Sequence, residues 1–357
     1  MSLPLSIYLF LLSIAWIILV GNYAVRSLRR PEKTKRHKGT KRPAVLLMVP
    51  CKGNDIDLER NLRGAINQDY ENFRPIAIIE SERDPAAVQI RKSGIEYIIA
   101  NYKCTKCSGK VRNLCSAISR FPEYDLLCIM DSDVNAPKWW LSSIVAALDD
   151  NTGIATSYPV FNPVGGFWSV AKHVWGFNGF GLMENPRTRF GWGGSLLFRR
   201  GLLDRKGMRI FENSVSDDIA LTRICKENGM AIAYVPEAAP VVDCDDSFLE
   251  FMEWSNRQTA FAVLGNKRLR AFGIVAYSAN ALLLLTGIIM SVVSGPVYLV
   301  FLIPFAIGLY KIYRRAGRIG AQAALAYLMM SFIYVYNLAN TYRMSSVRWR
   351  GRRYRLS

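Results

Sequence analysis

The sequence predicts an α/β fold, a parallel sheet of βαβ units carried between apolar ends that meet a membrane. Three observations predict it. From Ala44 onward short apolar runs alternate with helical stretches, and strands separated by helices of about 10 to 15 residues make βαβ units. Residues 3 to 25 are almost continuously apolar, long enough for a bilayer crossing, which takes about 20 residues. Across 357 residues the hydrophobic share is 51% and the mean hydropathy +0.10, high for a purely soluble chain.

The charges of the N-terminal run follow it, from Arg26 onward, and no small-residue cleavage site is evident. It therefore reads as an uncleaved anchor whose C-terminal side is cytoplasmic. Residues 26 to 43 form a basic linker closed by Pro43, a tether along anionic headgroups. The net charge of +18 crowds beside apolar runs, in residues 26 to 42, 311 to 318 and 343 to 355. That is the pattern of cytoplasmic flanks of membrane helices, so the expected partner is a membrane and not nucleic acid.

Seven cysteines is an odd number, and Cys51, Cys115, Cys128 and Cys225 sit in apolar or helical stretches as small hydrophobes. No disulfide framework is expected, which suits a reducing cytosol. Cys104-Thr-Lys-Cys107 has the spacing of half a zinc site or a redox pair, with no second pair to complete it. The two histidines, His37 and His173, leave little for a His-based triad.

Ala44 to Val49 reads as a buried strand running into Pro50-Cys-Lys-Gly-Asn-Asp55, a turn that brings backbone N–H groups and a helix N-terminus to the sheet's ligand edge. A helix over Asp55 to Gln68, a strand over Pro75 to Ile79, a helix over Asp84 to Ser93 and a strand over Glu96 to Ile99 follow. The second strand ends in Glu80-Ser-Glu82-Arg-Asp84-Pro85. An acid there can hydrogen-bond a ribose or a base, or, for Asp84, cap the next helix. Lys110, after Ser108-Gly109 at a helix head, either faces a diphosphate or simply begins an exposed helix.

Leu126 to Met130 is an apolar run too short for a helix, the kind of strand buried on both faces, and it ends in Asp131-Ser-Asp133. In extended backbone the two carboxylates point to one side and Ser132 away. They make half a site for Mg²⁺ or Mn²⁺ bridging a diphosphate, or else are turn-forming acids. A helix over Lys138 to Leu148 and a strand near Gly153 to Ser157 lead to an aromatic, glycine-rich region. There Trp192-Gly193-Gly194 precedes a strand, where backbone passes close to something. Ser214-Val-Ser216-Asp217-Asp218 opens a helix over Ile219 to Asn228, closed by Gly229.

This order of motifs resembles the family 2 glycosyltransferases, within them the membrane enzymes of the ceramide glucosyltransferase type. The matches are Gly109-Lys110-Val-Arg-Asn-Leu, Glu82-Arg-Asp84-Pro-Ala, Asp217-Asp218-Ile-Ala-Leu and the tail Trp349-Arg-Gly-Arg-Arg-Tyr354-Arg-Leu. The resemblance implies the GT-A fold, a Rossmann-like mixed sheet with N-terminal and C-terminal transmembrane helices. It also implies a nucleotide-sugar donor, with a UDP-sugar expected, a lipid acceptor and a divalent cation. Donor binding then falls to Pro50, the Glu80, Glu82 and Asp84 stretch, Lys110, Asp131, Asp133 and Arg257, with Asp131 and Asp133 holding the metal. Asp218 is implied as general base and Asp217 as the flanking acid that raises its basicity by like-charge repulsion. Trp192, Gly193, Gly194 and Trp254 are the candidates for the acceptor or sugar. The family's Gln-x-x-Arg-Trp reads Trp254-Ser-Asn-Arg257-Gln258 here, which keeps a guanidinium but loses the stacking Trp of processive polymer synthesis.

Residues 247 to 264 are amphipathic and aromatic, fit for an interface, and 271 to 293 can span. Pro296 to Tyr310 is short and suits the return leg of a hairpin. Residues 320 to 340 are long enough to cross but precede a basic tail that should be cytoplasmic, which favours an interfacial or re-entrant placement. The tail itself either sets topology by charge or grips phosphate or lipid through guanidinium forks. The expected divisions are an anchor (1–25), a linker (26–43), a cytosolic catalytic domain (44–246), an interfacial helix (247–268), a membrane region (269–342) and a basic tail (343–357). The expected protein is a multi-pass cell-membrane hexosyltransferase that inverts at carbon and makes glycolipid, with its catalytic domain cytoplasmic. A membrane polysaccharide synthase and a non-catalytic GT-A scaffold are the alternatives.

Overall fold

The structure, a computed structural model, describes residues 3–28, 42–263, 267–316 and 320–355. The basic linker from 29 to 41, with His37, and Leu356 of the tail lie outside the described residues. The chain begins with helix α1 (Leu3–Leu28) and then alternates β1 (Val45–Pro50), α2 (Leu58–Ile66), β2 (Phe73–Ile79), α3 (Ala86–Ser93), β3 (Glu96–Ile99), α4 (Gly109–Arg120) and β4 (Leu126–Met130). Next come β5 (Val134–Asn135), α5 (Trp140–Ala146), β6 (Thr152–Thr156), β7 (Val160–Pro163), α6 (Phe167–Met183) and β8 (Ser195–Arg199). The sheet-bearing region closes with α7 (Arg205–Phe211), α8 (Asp217–Glu227), β9 (Ala231–Tyr234) and β10 (Val241–Cys244).

Seven strands form one sheet in the order β3-β2-β1-β4-β8-β6-β9. The runs that read as fully buried strands are so: every residue of β1 and β4 is buried. Alternate residues of β1 feed two cores, Val45, Leu47 and Val49 on one face and Leu46 and Met48 on the other, as a period of two requires. β1, β2, β3 and β4 are mutually parallel. The parallel run of βαβ units stops there, because β8 is antiparallel to both β4 and β6, which makes the sheet mixed as the resemblance implied. The long connection through β7 and α6 brings the chain back from the opposite end, and β8 slots between two strands already placed.

Helix α6 was not legible in the sequence, and its glycines explain why. Glycine disfavours a helix interior by roughly 1 kcal/mol. At Gly176 and Gly179, though, a Cβ would sit 2.5 Å from the Phe161 ring and 2.1 Å from the Tyr158 ring. The helix gives up propensity so that two aromatic rings can lie against its backbone.

The C-terminal half continues with α9 (Phe248–Val263), α10 (Lys267–Val293), a 3-10 stretch over Pro296–Leu302 that runs into α11 (Ile303–Ala316), α12 (Ala321–Asn340) and a hairpin of β11 (Ser346–Trp349) and β12 (Arg352–Arg355). Four described segments are long and apolar enough to cross a bilayer: Pro4–Val25, Lys267–Val293, Pro296–Tyr313 and Ala321–Asn340. Helix α12 is unbroken, so a re-entrant loop is not its form. Helix α1 joins the C-terminal helices through Tyr8 Oη and Thr286 Oγ1 at 2.6 Å, and through Trp16 Nε1 donating to the Val300 carbonyl at 2.8 Å. Residues Ala171 and Val174 of α6, Phe251 of α9 and Met330 and Tyr334 of α12 share one apolar cluster, which ties the sheet-bearing region to the C-terminal helices.

The cysteine reading needs one correction. Cys104 and Cys107 are joined as a disulfide, so this pair is closed on itself rather than open as half a metal site. The other five cysteines are free and buried.

Candidate active site

The site lies at the carboxyl ends of β1, β2 and β4, where open α/β sheets leave a crevice. At its centre is Lys110, in the first turn of α4. Ser108 caps this helix by accepting from the Val111 N–H at 3.2 Å, which sends Lys110 inward. The Lys110 Nζ lies 2.6 Å from Asp131 Oδ1 and 3.0 Å from Asp217 Oδ2, and it donates to the Gly193 carbonyl at 3.2 Å. Its side chain is only 11% exposed, so the bland reading of a surface lysine fails. Burial pulls its pKa down, but Asp131, Asp217 and Asp218 outweigh burial and hold the ammonium above its ordinary range.

Asp131 and Asp133 do not extend β4 as expected. The strand ends at Met130, and the Val134 N–H donates to the Asp131 carbonyl at 3.1 Å, closing a turn over Asp131-Ser-Asp-Val. Strand alternation therefore does not set their directions. Ser132 donates to Asp55 Oδ2 at 2.5 Å, which ties this turn to the turn after β1. Burial raises the Asp133 pKa to about 6, with the charges of Asp131 and Asp55 adding to it. Burial likewise raises that of Asp131, while Lys110 pulls it back.

Asp131 and Asp133, both half-buried, stand with Asp55 close enough for like charge to raise the Asp133 pKa, an excess of negative charge that a divalent cation would relieve. Among the described residues no group of three or more His, Cys, Asp or Glu is arranged to hold a metal alone. Two hard carboxylates with the remaining positions left to diphosphate oxygens and water is the usual way Mg²⁺ is bound. The residues fit such an ion, with Asp131 and Asp133 as its ligands.

The α8 N-terminus supplies the other acids. Asp217 is 2% exposed and turned to Lys110, and burial pushes its pKa up to about 6 against the pull of that cation. Asp218 is half-buried; it accepts from the Ile219 N–H at 2.8 Å, from the Gly193 N–H at 3.3 Å and from the Ser216 hydroxyl. The two neighbours thus divide: Asp217 is locked into an ion pair, while Asp218 is half-buried and held by hydrogen-bond donors rather than by a cation.

What the glycines before β8 pass close to is now visible. A Cβ on Gly193 would be 2.8 Å from Asp217 Oδ2 and 2.9 Å from Lys110 Nζ, and one on Gly194 would strike the Trp192 ring at 2.3 Å. The Gly194 carbonyl accepts from the Asp131 N–H at 3.4 Å. Trp192 packs at 6.2 Å against Tyr158. Trp254 lies in another aromatic group, edge-on to Phe161 at 5.3 Å and to Trp175 at 4.8 Å, with the Lys172 ammonium 5.0 Å over its ring.

The three acids after β2 separate cleanly. Glu82 is exposed, bonded to Arg91 at 3.2 Å and Tyr97 at 2.9 Å, and is not brought to the site. Asp84 accepts from the Gly53 N–H at 2.8 Å and the Ala86 N–H at 2.9 Å, the capping role. Glu80 alone sits among cations: Arg112 at 3.0 Å, Lys52 at 3.9 Å and both terminal nitrogens of Arg352 at 2.8 and 2.6 Å. Pro50 is buried and ends β1 beside Ile78. Arg257 lies 5.9 Å over the Trp349 ring, and burial lowers its pKa to about 10, with Glu253 opposing and Arg350 adding.

Sequence reasoning missed Asp55 and Arg112 as site residues, and left Arg350 and Arg352 between a tail that sets topology and one that grips phosphate or lipid. Asp55 had a signal, its place at the end of the turn after β1. The tail's motif and charge did not say where its arginines dock, because nothing local tells where a hairpin lands.

Comparison with known proteins came out as follows. The family model described as glycosyl transferase family 21 matches residues 7–357. A ceramide glucosyltransferase of Komagataella phaffii is 34% identical over 119 residues, which cover 29% of this chain and 22% of that enzyme. The match thus spans about a fifth of that relative. Among solved structures, the mannosyltransferase PcManGT from Pyrobaculum calidifontis, in complex with GDP-Man and Mn²⁺, has a TM-score of 0.52 at 14% identity, over 93% of this chain and 99% of that one. Glucosyl-3-phosphoglycerate synthase from Mycobacterium tuberculosis, with Mn²⁺, UDP and phosphoglyceric acid, has a TM-score of 0.43 at 15% identity, over 62% of this chain and 78% of that one. The fold is of the GT-A type.

Proposed function

Because the chain belongs to glycosyl transferase family 21, we propose that it moves a hexose from a nucleotide-diphosphate sugar, a UDP-sugar by preference, to the hydroxyl of a membrane lipid, with inversion at the anomeric carbon. The observation that carries this is the division of labour at α8: Asp217 is held by Lys110, while Asp218 is half-buried beside the Gly193 N–H. Asp218 takes the proton of the acceptor hydroxyl as its oxygen attacks the anomeric carbon, and the bond to the diphosphate breaks with its electron pair leaving on the diphosphate. A divalent cation at Asp131 and Asp133 would neutralise that leaving group. Lys110 keeps Asp131 and Asp217 from repelling one another and fixes the Gly193 carbonyl.

The apolar helices support a membrane placement for the acceptor. The hairpin β11–β12 touches the ligand edge of the sheet through Arg350 and Arg352, so tail and catalytic domain share one side of the bilayer. Helix α10 with the Pro296–Tyr313 segment makes a pair of crossings, and α12, packed on α6 and α9, lies along the interface. The basic flanks support a cytoplasmic position for that shared side.

The test is transfer by the purified protein in lipid nanodiscs, with labelled nucleotide sugars and lipid extracts as substrates and the anomeric configuration of the product read by NMR. A product inverted relative to the donor is expected. No donor consumption with any sugar, or a retained configuration, would overturn the reading.

A further inference from the structure

The hairpin at the end of the chain has a turn that ordinary sequence preference does not favour. Arg350 has φ +49° and Gly351 φ +76°. Positive φ at both central residues is the type I′ turn of a two-residue hairpin, in which Asn or Gly usually comes first. Putting a long side chain there costs about 1 kcal/mol or more. What it gains is position: Arg350 lies 2.5 Å from Asp55 Oδ1 and donates to the Lys52 carbonyl at 3.3 Å. Besides Asp55, Asp133 and Asp131 act on its charge. The guanidinium therefore sits at the cluster of carboxylates where a cation and a diphosphate have to meet.

The rest of the hairpin is fastened around it. Arg352 meets Glu80 as a two-bond fork, 2.8 and 2.6 Å. Glu80 also faces Arg112 and Lys52, so three cations surround one carboxylate and leave positive charge in excess at the head of α4. Tyr354 Oη accepts from the Gly109 N–H at 3.2 Å, at the first turn of the same helix. A Cβ on Gly109 would be 2.5 Å from Glu80 Oε1 and 3.1 Å from Arg352, so a larger residue there would push these two side-chain ends aside. Trp349 lies against Tyr354 at 6.4 Å and under Arg257 at 5.9 Å.

We propose that this hairpin is the clamp of the donor site, with Arg350 binding the diphosphate of the nucleotide sugar and Arg352 positioning it by latching the hairpin to Glu80. The proposal rests on the glycosyl-transfer reading above and names a residue of the donor site outside the family acids. A planar fork that already bonds a carboxylate is suited to exchange it for phosphate oxygens, which lysine does not imitate.

The test uses the full-length protein in nanodiscs, with UDP and GDP in the presence of Mg²⁺ as probes and binding measured by calorimetry. Arg350→Lys is expected to weaken binding of whichever nucleotide the wild type takes by roughly tenfold or more, the scale of a lost bidentate contact. Asp55→Asn removes the resting partner without removing the phosphate ligand and is expected to cost less than about threefold. Arg352→Gln is expected to raise the donor KM while kcat at saturation holds, since the latch positions but does not touch the donor. Equal losses in Arg350→Lys and Asp55→Asn, or full affinity in Arg350→Lys, would overturn the clamp and leave the glycosyl-transfer reading standing. A wild type that binds neither nucleotide would overturn both.

Discussion

The Lys110 ammonium joins two acids of different elements, standing 3.0 Å from Asp217 at the head of α8 and 2.6 Å from Asp131 at the end of β4. Breaking a buried ion pair from one side leaves uncompensated charge and costs about 3–5 kcal/mol. Lys110→Met should therefore lower the melting temperature of the nucleotide-free protein as well as abolish transfer. A variant that melts like the wild type would mean that Asp131 and Asp217 tolerate each other without the cation.

Asp217 makes a pH prediction of definite sign. Its folded pKa of about 6 lies above the ordinary 3.8, so the native state binds the proton more tightly than the unfolded chain. Its contribution to stability is then greatest below about 4 and is lost as pH rises to about 6. Chemical denaturation in that window should show stability falling with pH, and Asp217→Asn should flatten the slope. An unchanged slope in the variant would assign the titration elsewhere.

Asp218→Asn keeps the shape of the side chain and removes the proton acceptor. Transfer should drop by about 10² or more, the scale of a general base, with nucleotide binding nearly intact. The comparison is turnover against nucleotide affinity in the same preparation. Near-normal turnover would move the base to another group.

Asp131→Ala and Asp133→Ala should each abolish the dependence of donor binding on Mg²⁺ or Mn²⁺, and exhaustive chelation of the wild type should reproduce their effect. Full turnover after chelation would leave the diphosphate to Lys110 and the arginines alone.

The parts of the fold set by local pattern were legible. β1, β2 and β4 announce themselves as continuous apolar runs, and Gly229, at φ +67°, ends α8 where the sequence put its stop. The family acids were legible as motifs, and Lys110 because a glycine and a cation open α4. What depended on long-range placement was not. The direction of β8 is decided by a crossover, and α6 is hidden by glycines whose use appears only once Phe161 and Tyr158 lie against them. Choosing among Glu80, Glu82 and Asp84 required knowing that Arg352 arrives beside the first. Each of these is a contact between segments far apart in the chain, and local preference carries no record of it.

The docking of β11 and β12 on the ends of β1 and β2 also sets an order of assembly. Residues 346–355 leave the ribosome after every apolar helix of the chain, while the strands they meet were made long before. The sheet can fold and bury its cores with the donor crevice still open on one side. The hairpin can reach Asp55 and Glu80 only after α10 to α12 have been made. If the hairpin is the donor clamp, a sheet without it lacks Arg350 and Arg352, and holding donor depends on the C-terminal segment having reached the sheet.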